Sequence, residues 1–124
     1  MAAPNLQNAS AVYLKSATAD LTTTGETSVL SNAASSGKLL KVDSVIVANV
    51  DASTAYSVTL TYHSAAALAG TSTAIANTIS VPANSSLVVI DRTTAVYLEE
   101  DRSLGATAST GNKLKVYAAY EDIS

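Results

Sequence analysis

The chain has 124 residues with a formal net charge of −3, no Cys, Trp or Phe, and a single His. That length suffices for one domain with a core of its own, and the missing cysteines exclude disulfides, thiolate zinc sites and cysteine nucleophiles. One histidine excludes multi-histidine metal sites, and a load of 23 Ala, 17 Ser and 15 Thr points to a thin aliphatic core beneath a weakly charged surface.

Residues 1–9 show no hydrophobic period and are expected to form an extended N-terminal arm ahead of a domain over 10–124. The first strand candidate is 27–30. The next, 38–50, carries Leu40, Val42, Ile46, Ala48 and Val50 on one face and Val45 and Val47 on the other. A strand apolar on both faces is either central in the fold or covered by a partner. The cleanest alternation with a period of two lies at 56–63. Tyr56, Val58, Leu60 and Tyr62 share one face there, and Ser57, Thr59, Thr61 and His63 share the other, which reads as a strand with one buried face. The stretch 64–70 is alanine-rich but too short for an independent helix and reads as a loop. Strand candidates follow at 73–81, 86–90, 95–98 and 104–108. In the last one, Leu114, Val116, Ala118 and Tyr120 alternate with Lys113, Lys115, Tyr117 and Ala119. Turn residues every ~8–12 positions, without the spacing of parallel βαβ units, predict an all-β fold. The expected architecture is a single antiparallel β-sandwich, jelly-roll or Ig-like, of about eight short strands.

The charged fraction is 14% and the five Lys and two Arg are scattered, so no basic stripe offers phosphate a binding surface. No nucleic-acid partner is expected. No apolar run approaches the ~20 residues of a membrane span, the longest being 45–48, and the opening residues lack the features of a signal peptide. The expectation is a soluble protein made in a cytoplasm, without a membrane partner.

No catalytic, cofactor-binding or metal-binding residues are expected. His63 ends a strand on its polar face, where an exposed imidazole is anticipated, and no Gly-x-Ser-x-Gly elbow accompanies it. Glu99, Glu100 and Asp101 form an acidic cluster without calcium-loop spacing, read as a solvated turn with Arg102 offsetting some of its charge. The glycines at 25, 37, 70, 105 and 111 are isolated, so no phosphate-cradling loop is present. Tyr56, Tyr62 and Tyr120 belong to apolar strand faces and are expected to fill the core. Tyr13, Tyr97 and Tyr117 are less clearly inward and are candidate interface anchors. Pro4 and Leu6 of the arm, and Val45 and Val47 on the second apolar face of the long strand, complete the candidate interface set.

Four ordered segments carry a resemblance. They are Lys41-Val42-Asp43-Ser44-Val45-Ile46-Val47-Ala48-Asn49-Val50-Asp51, Thr78-Ile79-Ser80-Val81-Pro82-Ala83-Asn84-Ser85-Ser86-Leu87-Val88-Val89-Ile90, Thr94-Ala95-Val96-Tyr97-Leu98-Glu99-Glu100 and Tyr120-Glu121-Asp122-Ile123-Ser124. With the opening Ala3-Pro4-Asn5-Leu6-Gln7, the chain resembles a group of small virion structural proteins of tailed bacteriophages, found in phages of marine bacteria and cyanobacteria. The family pattern reads Glu-Glu-Gly-Asp-Ser-Leu where this chain has Glu99-Glu100-Asp101-Arg102-Ser103-Leu104, so a glycine suited to positive φ is missing here. The resemblance implies a non-enzymatic role in the virion. The first expectation is a capsid decoration (cement) protein that binds the major capsid protein and forms a homo-oligomer, with a trimer favoured. The alternatives are a neck, tail or fibre-associated adaptor of the same particle and, from another class, a carbohydrate-binding module contacting the host.

Overall fold

The computed structural model describes residues 9–124; Pro4, Leu6 and nearly all of the expected arm lie outside them. Nine strands follow in chain order: β1 (Val12–Leu21), β2 (Thr27–Asn32), β3 (Leu39–Asn49), β4 (Tyr56–His63), β5 (Ser72–Val81), β6 (Ser86–Ile90), β7 (Val96–Leu98), β8 (Arg102–Ala108) and β9 (Leu114–Ile123). A 3-10 turn, Arg92–Thr94, joins β6 to β7 and is capped by the Asp91 side chain. One antiparallel sheet (sheet A) has the order β1-β9-β3-β6, with β7 also paired to β3; the other (sheet B) has the order β2-β8-β4-β5. The pairs β4–β5, β3–β6, β2–β8 and β1–β9 nest inside one another, as in a long hairpin rolled up. This is the jelly-roll arrangement rather than the Ig-like one.

The core lies between the sheets. Sheet A contributes Leu21, Val42, Val45, Val47, Leu98, Leu114, Val116 and Ala118, and sheet B contributes Val58, Leu60, Val81, Leu104, Ala106 and Ala108, all buried. Tyr56, Tyr62 and Tyr120 pack against this cluster from its margin, as their strand faces predict. Each buried Val or Leu is worth roughly 1.5–3 kcal/mol of transfer free energy, so even a core without Phe or Trp sustains the sandwich.

Two features of sheet A depart from the sequence reading. β1 was not among the strand candidates, yet it pairs with β9 along its whole length. Val45 and Val47 are not interface residues, because both are fully buried. The physical reason is a β-bulge. Val42 pairs with Tyr120 and Ser44 with Ala119, leaving Asp43 as one extra residue. An extra residue reverses the side-chain alternation downstream. Leu40 and Val42 face the core before the bulge and Val45 and Val47 face it afterwards, while Ile46 and Ala48 turn outward.

Two buried asparagines hold the strand ends. The amide nitrogen of Asn49 donates to the carbonyls of Thr54 (2.9 Å) and Val81 (3.0 Å), and its oxygen accepts from the amide of Asp51. Asn32 likewise donates to the carbonyls of Lys38 and Leu98, both at 2.9 Å, and accepts from the Ser36 hydroxyl. In the acidic turn, Asp101 adopts φ of 60°. Asp tolerates this left-handed region better than most residues, and its carboxylate accepts a hydrogen bond from Ala66 N at 3.0 Å.

Candidate interaction surface

The outward face of sheet A is built from cross-strand rows. Leu14, Glu121, Lys41 and Tyr97 stand side by side across β1, β9, β3 and β7. The next row is Ser16, Ala119 and Ser44, and the one after it is Thr18, Tyr117, Ile46 and Val88. Small side chains in the middle row, flanked by larger ones, make a trough of about 740 Å³, with Arg92 and Asp43 among its lining residues. Bulky apolar side chains are exposed along its margins. Leu14 is 80% exposed, and Val12, Val88, Tyr97 and Tyr117 are each more than two-fifths exposed. Exposed apolar groups gathered on one face, among them two tyrosines, are the pattern of a protein contact surface.

Charge on this face is locally balanced. Lys41 Nζ lies 3.5 Å from Glu121 and 3.7 Å from Asp43, and these carboxylates, Glu121 foremost, raise its pKa above the ordinary lysine value. At the adjacent edge of the sandwich, Asp122 is 4% exposed and accepts from Lys15 (2.9 Å) and Lys38 (3.2 Å). Burial works to raise its pKa, but the two ammonium groups prevail and hold it below the usual carboxylate value. Tyr13 is exposed at this edge, its ring 5.8 Å from the Lys15 ammonium. Of the interface candidates, Tyr97 and Tyr117 share the trough face, while Tyr13 belongs to the alternate side of β1.

The outer face of sheet B holds a second cluster. His63 is not the exposed strand-end residue anticipated: it is 4% exposed, and its Nε2 lies 2.7 Å from Glu26 Oε2. Ser103 sits directly opposite His63 in the β4–β8 ladder, so a hydroxyl, an imidazole and a carboxylate come together. The Ser103 hydroxyl, however, is fully buried. It donates to Ala65 O (2.7 Å) and accepts from Leu68 N (2.9 Å). A nucleophile needs its hydroxyl bonded to the base and open to substrate. Here it anchors the 64–70 loop, which lies over this part of the sheet. Nothing in the sequence marked Glu26 or Ser103, since only the strand pairing brings them to His63.

The acidic turn also differs from expectation. Glu99 is exposed, but Glu100 is only 8% exposed, with neither carboxylate oxygen hydrogen-bonded among the described residues. Arg102 Nη1 donates to the carbonyl oxygens of Ser64 (3.1 Å) and Asp101 (2.9 Å), tying the turn to the 64–70 loop. Among the described residues, no three His, Cys, Asp or Glu side chains converge as a metal site.

No protein-family model matches the chain, and no curated protein gives a significant match.

Proposed function

We propose that this chain is a non-enzymatic structural protein of a tailed-bacteriophage virion, a capsid decoration protein that binds the major capsid lattice through the outer face of sheet A. The observation that carries this reading is the gathering of Leu14, Val88, Tyr97 and Tyr117 as exposed side chains on that one face. Tyrosine is enriched in protein interfaces, and the charges on this face are paired among Lys41, Asp43 and Glu121. The four sequence segments resembling small virion proteins support the same role. The jelly-roll topology, an architecture used in viral capsid and lectin domains, supports it by fold analogy.

In this role the protein acts by covering apolar surface on assembled capsid subunits, as a homo-oligomer made in the host bacterial cytoplasm and carried in the virion. The test is stoichiometry. In purified particles, gel densitometry is expected to show this chain at a copy number comparable with the major capsid protein. A copy number far below that overturns the decoration reading and points to a neck, tail or fibre adaptor. Tyr117→Ser and Tyr97→Ser are expected to release the protein from particles while leaving its fold intact, because both side chains are exposed.

A further inference from the structure

The free edge of β1 differs from every other sheet edge among the described residues. β2 is irregular at Val29, and β5 is interrupted twice along β4, with Thr78 at φ of 52°. The β6–β7 edge is broken by the 3-10 turn at Arg92–Thr94. Bulges and interruptions of this kind keep sheet edges from pairing with other chains. β1 has none: its ten residues keep a single register against β9, it contains no proline, and no described strand pairs with its other side.

The alternation of the ladder says which groups that edge presents. Ser124 donates to Ala11 O and accepts from Ala11 N, and Leu21 O accepts from Asn112 N. Odd-numbered residues of β1 therefore direct their backbone groups toward β9. By antiparallel alternation, Val12, Leu14, Ser16, Thr18 and Asp20 direct their N–H and C=O groups outward from the sheet.

We propose that a second copy of this chain fills this edge, β1 pairing antiparallel with β1 across a two-fold axis centred on Ser16. Ser16 is the middle of the five outward-directed residues, so this register is the one that engages all of them. Leu14 then opposes Thr18 of the second copy, and Val12 opposes Asp20. The only charged residues of β1, Lys15 and Asp20, face uncharged partners: Lys15 meets Ala17, and no like charges are opposed. The small side chains of Ser16, Ala17, Thr18 and Ala19 let the two backbones approach. The axis runs perpendicular to sheet A, so the two outer faces become one continuous surface, with the troughs side by side. Leu14, the most exposed apolar side chain on that face, flanks the seam and stays on the shared outer surface. Such an isologous contact closes as a dimer, in place of the trimer expected with the capsid-decoration reading. The proposal rests on the assembly role above and names the surface by which copies join.

Sedimentation velocity on the full chain over a dilution series is expected to show a monomer–dimer equilibrium. Ser16→Asp and Ser16→Lys each place like charges at the axis, at a side chain exposed in the monomer. Each alone is expected to sediment as monomer with an unchanged melting temperature, and an equimolar mixture is expected to recover the dimer. The chain has no cysteine, so Ser16→Cys is expected to give a disulfide dimer under mild oxidation, whereas Ser80→Cys on the interrupted β5 edge stays monomeric. A chain that remains monomeric at every concentration overturns the proposal, as does a dimer indifferent to both charge variants. Particle stoichiometry separates the two readings. An abundant virion component that never dimerises sinks only the β1 contact, and a β1 dimer absent from particles sinks only the virion role.

Discussion

Gly105→Ala is the sharpest probe of how the outer face of sheet B is held together. A Cβ at this position collides with Glu26 Oε2 and falls 2.8 Å from Leu68 Cδ2. Both atoms end flexible side chains, so the clash itself is relieved by small movements. The damage lies in what those ends do. Glu26 Oε2 is the partner of the buried His63 ring, and Leu68 belongs to the loop anchored by Ser103. Losing a hydrogen bond to a charged group, with one buried polar atom left unpaired, costs about 1.5–3 kcal/mol. Alanine regains roughly 0.5–1 kcal/mol over glycine in a strand interior. The net expectation is a loss of about 1–2 kcal/mol, which lowers Tm by roughly 3–10 °C at this chain length. The assay is a double-mutant cycle by urea denaturation. Glu26→Ala already sacrifices the contact, so Gly105→Ala added to it is expected to cost less than half of what it costs alone. Strict additivity of the two losses would refute the claim that the Cβ acts through Glu26.

The bulge at Asp43 makes Val45→Asp and Ile46→Asp opposites: the first, at a fully buried position, is expected to abolish folding by circular dichroism, and the second to shift the urea midpoint by no more than about 1 kcal/mol equivalent. Asn49→Ala leaves the carbonyls of Thr54 and Val81 without their donor and is expected to cost about 2–4 kcal/mol in equilibrium unfolding. Acid destabilisation should begin below pH 4. The backbone amides of Ser53 and Thr54, aided by Lys113, lower the Asp51 carboxyl from 3.8 to about 2. A folded-state pKa below the unfolded value contributes stability above 3.8 that disappears as pH falls toward 2. Asp51→Asn is therefore expected to flatten the fall of the urea midpoint over that interval. An unchanged slope would show that Asp51 is not among the groups responsible.

The sandwich was legible because the interior of a jelly roll enforces alternation. Tyr56–His63 and Leu114–Tyr120 could be assigned faces by counting in twos, and the structure keeps the apolar set of each toward the core. β1 escaped notice because it is an edge strand: exposed on most positions, it experiences little demand for alternating Val and Ser, and its middle is Ser16, Ala17, Thr18 and Ala19. The burial of His63 was hidden for a different reason. It depends on Glu26 and on the 64–70 loop, which lie 37 residues before it and immediately after it, and no period in β4 encodes them. Tyr97 and Tyr117 could be nominated as surface anchors from their positions opposite apolar neighbours. That they occupy the same face required the strand order.

Asp43 shows how one local irregularity decides both core and surface. In an unbulged β3, Ile46 and Ala48 would join Val42 inside, and Val45 and Val47 would stand on the outer face. The extra residue instead places Ser44 beside Ala119 and Ser16, and Ile46 beside Tyr117 and Val88. The trough floor and its apolar margin both depend on that shift, and the Asp43 carboxylate pairs with Lys41 on the same face. Deleting Asp43 would straighten the strand and keep Ser44, Val45, Ile46 and Val47 opposite Ala119, Ala118, Tyr117 and Val116. The valine-lined core and the row of small residues would survive, and only the carboxylate beside Lys41 would be lost. The bulge thus carries Asp43 on the outer face without disturbing the core, which is the physical reason to treat it as part of the binding architecture and not as a defect in the sheet.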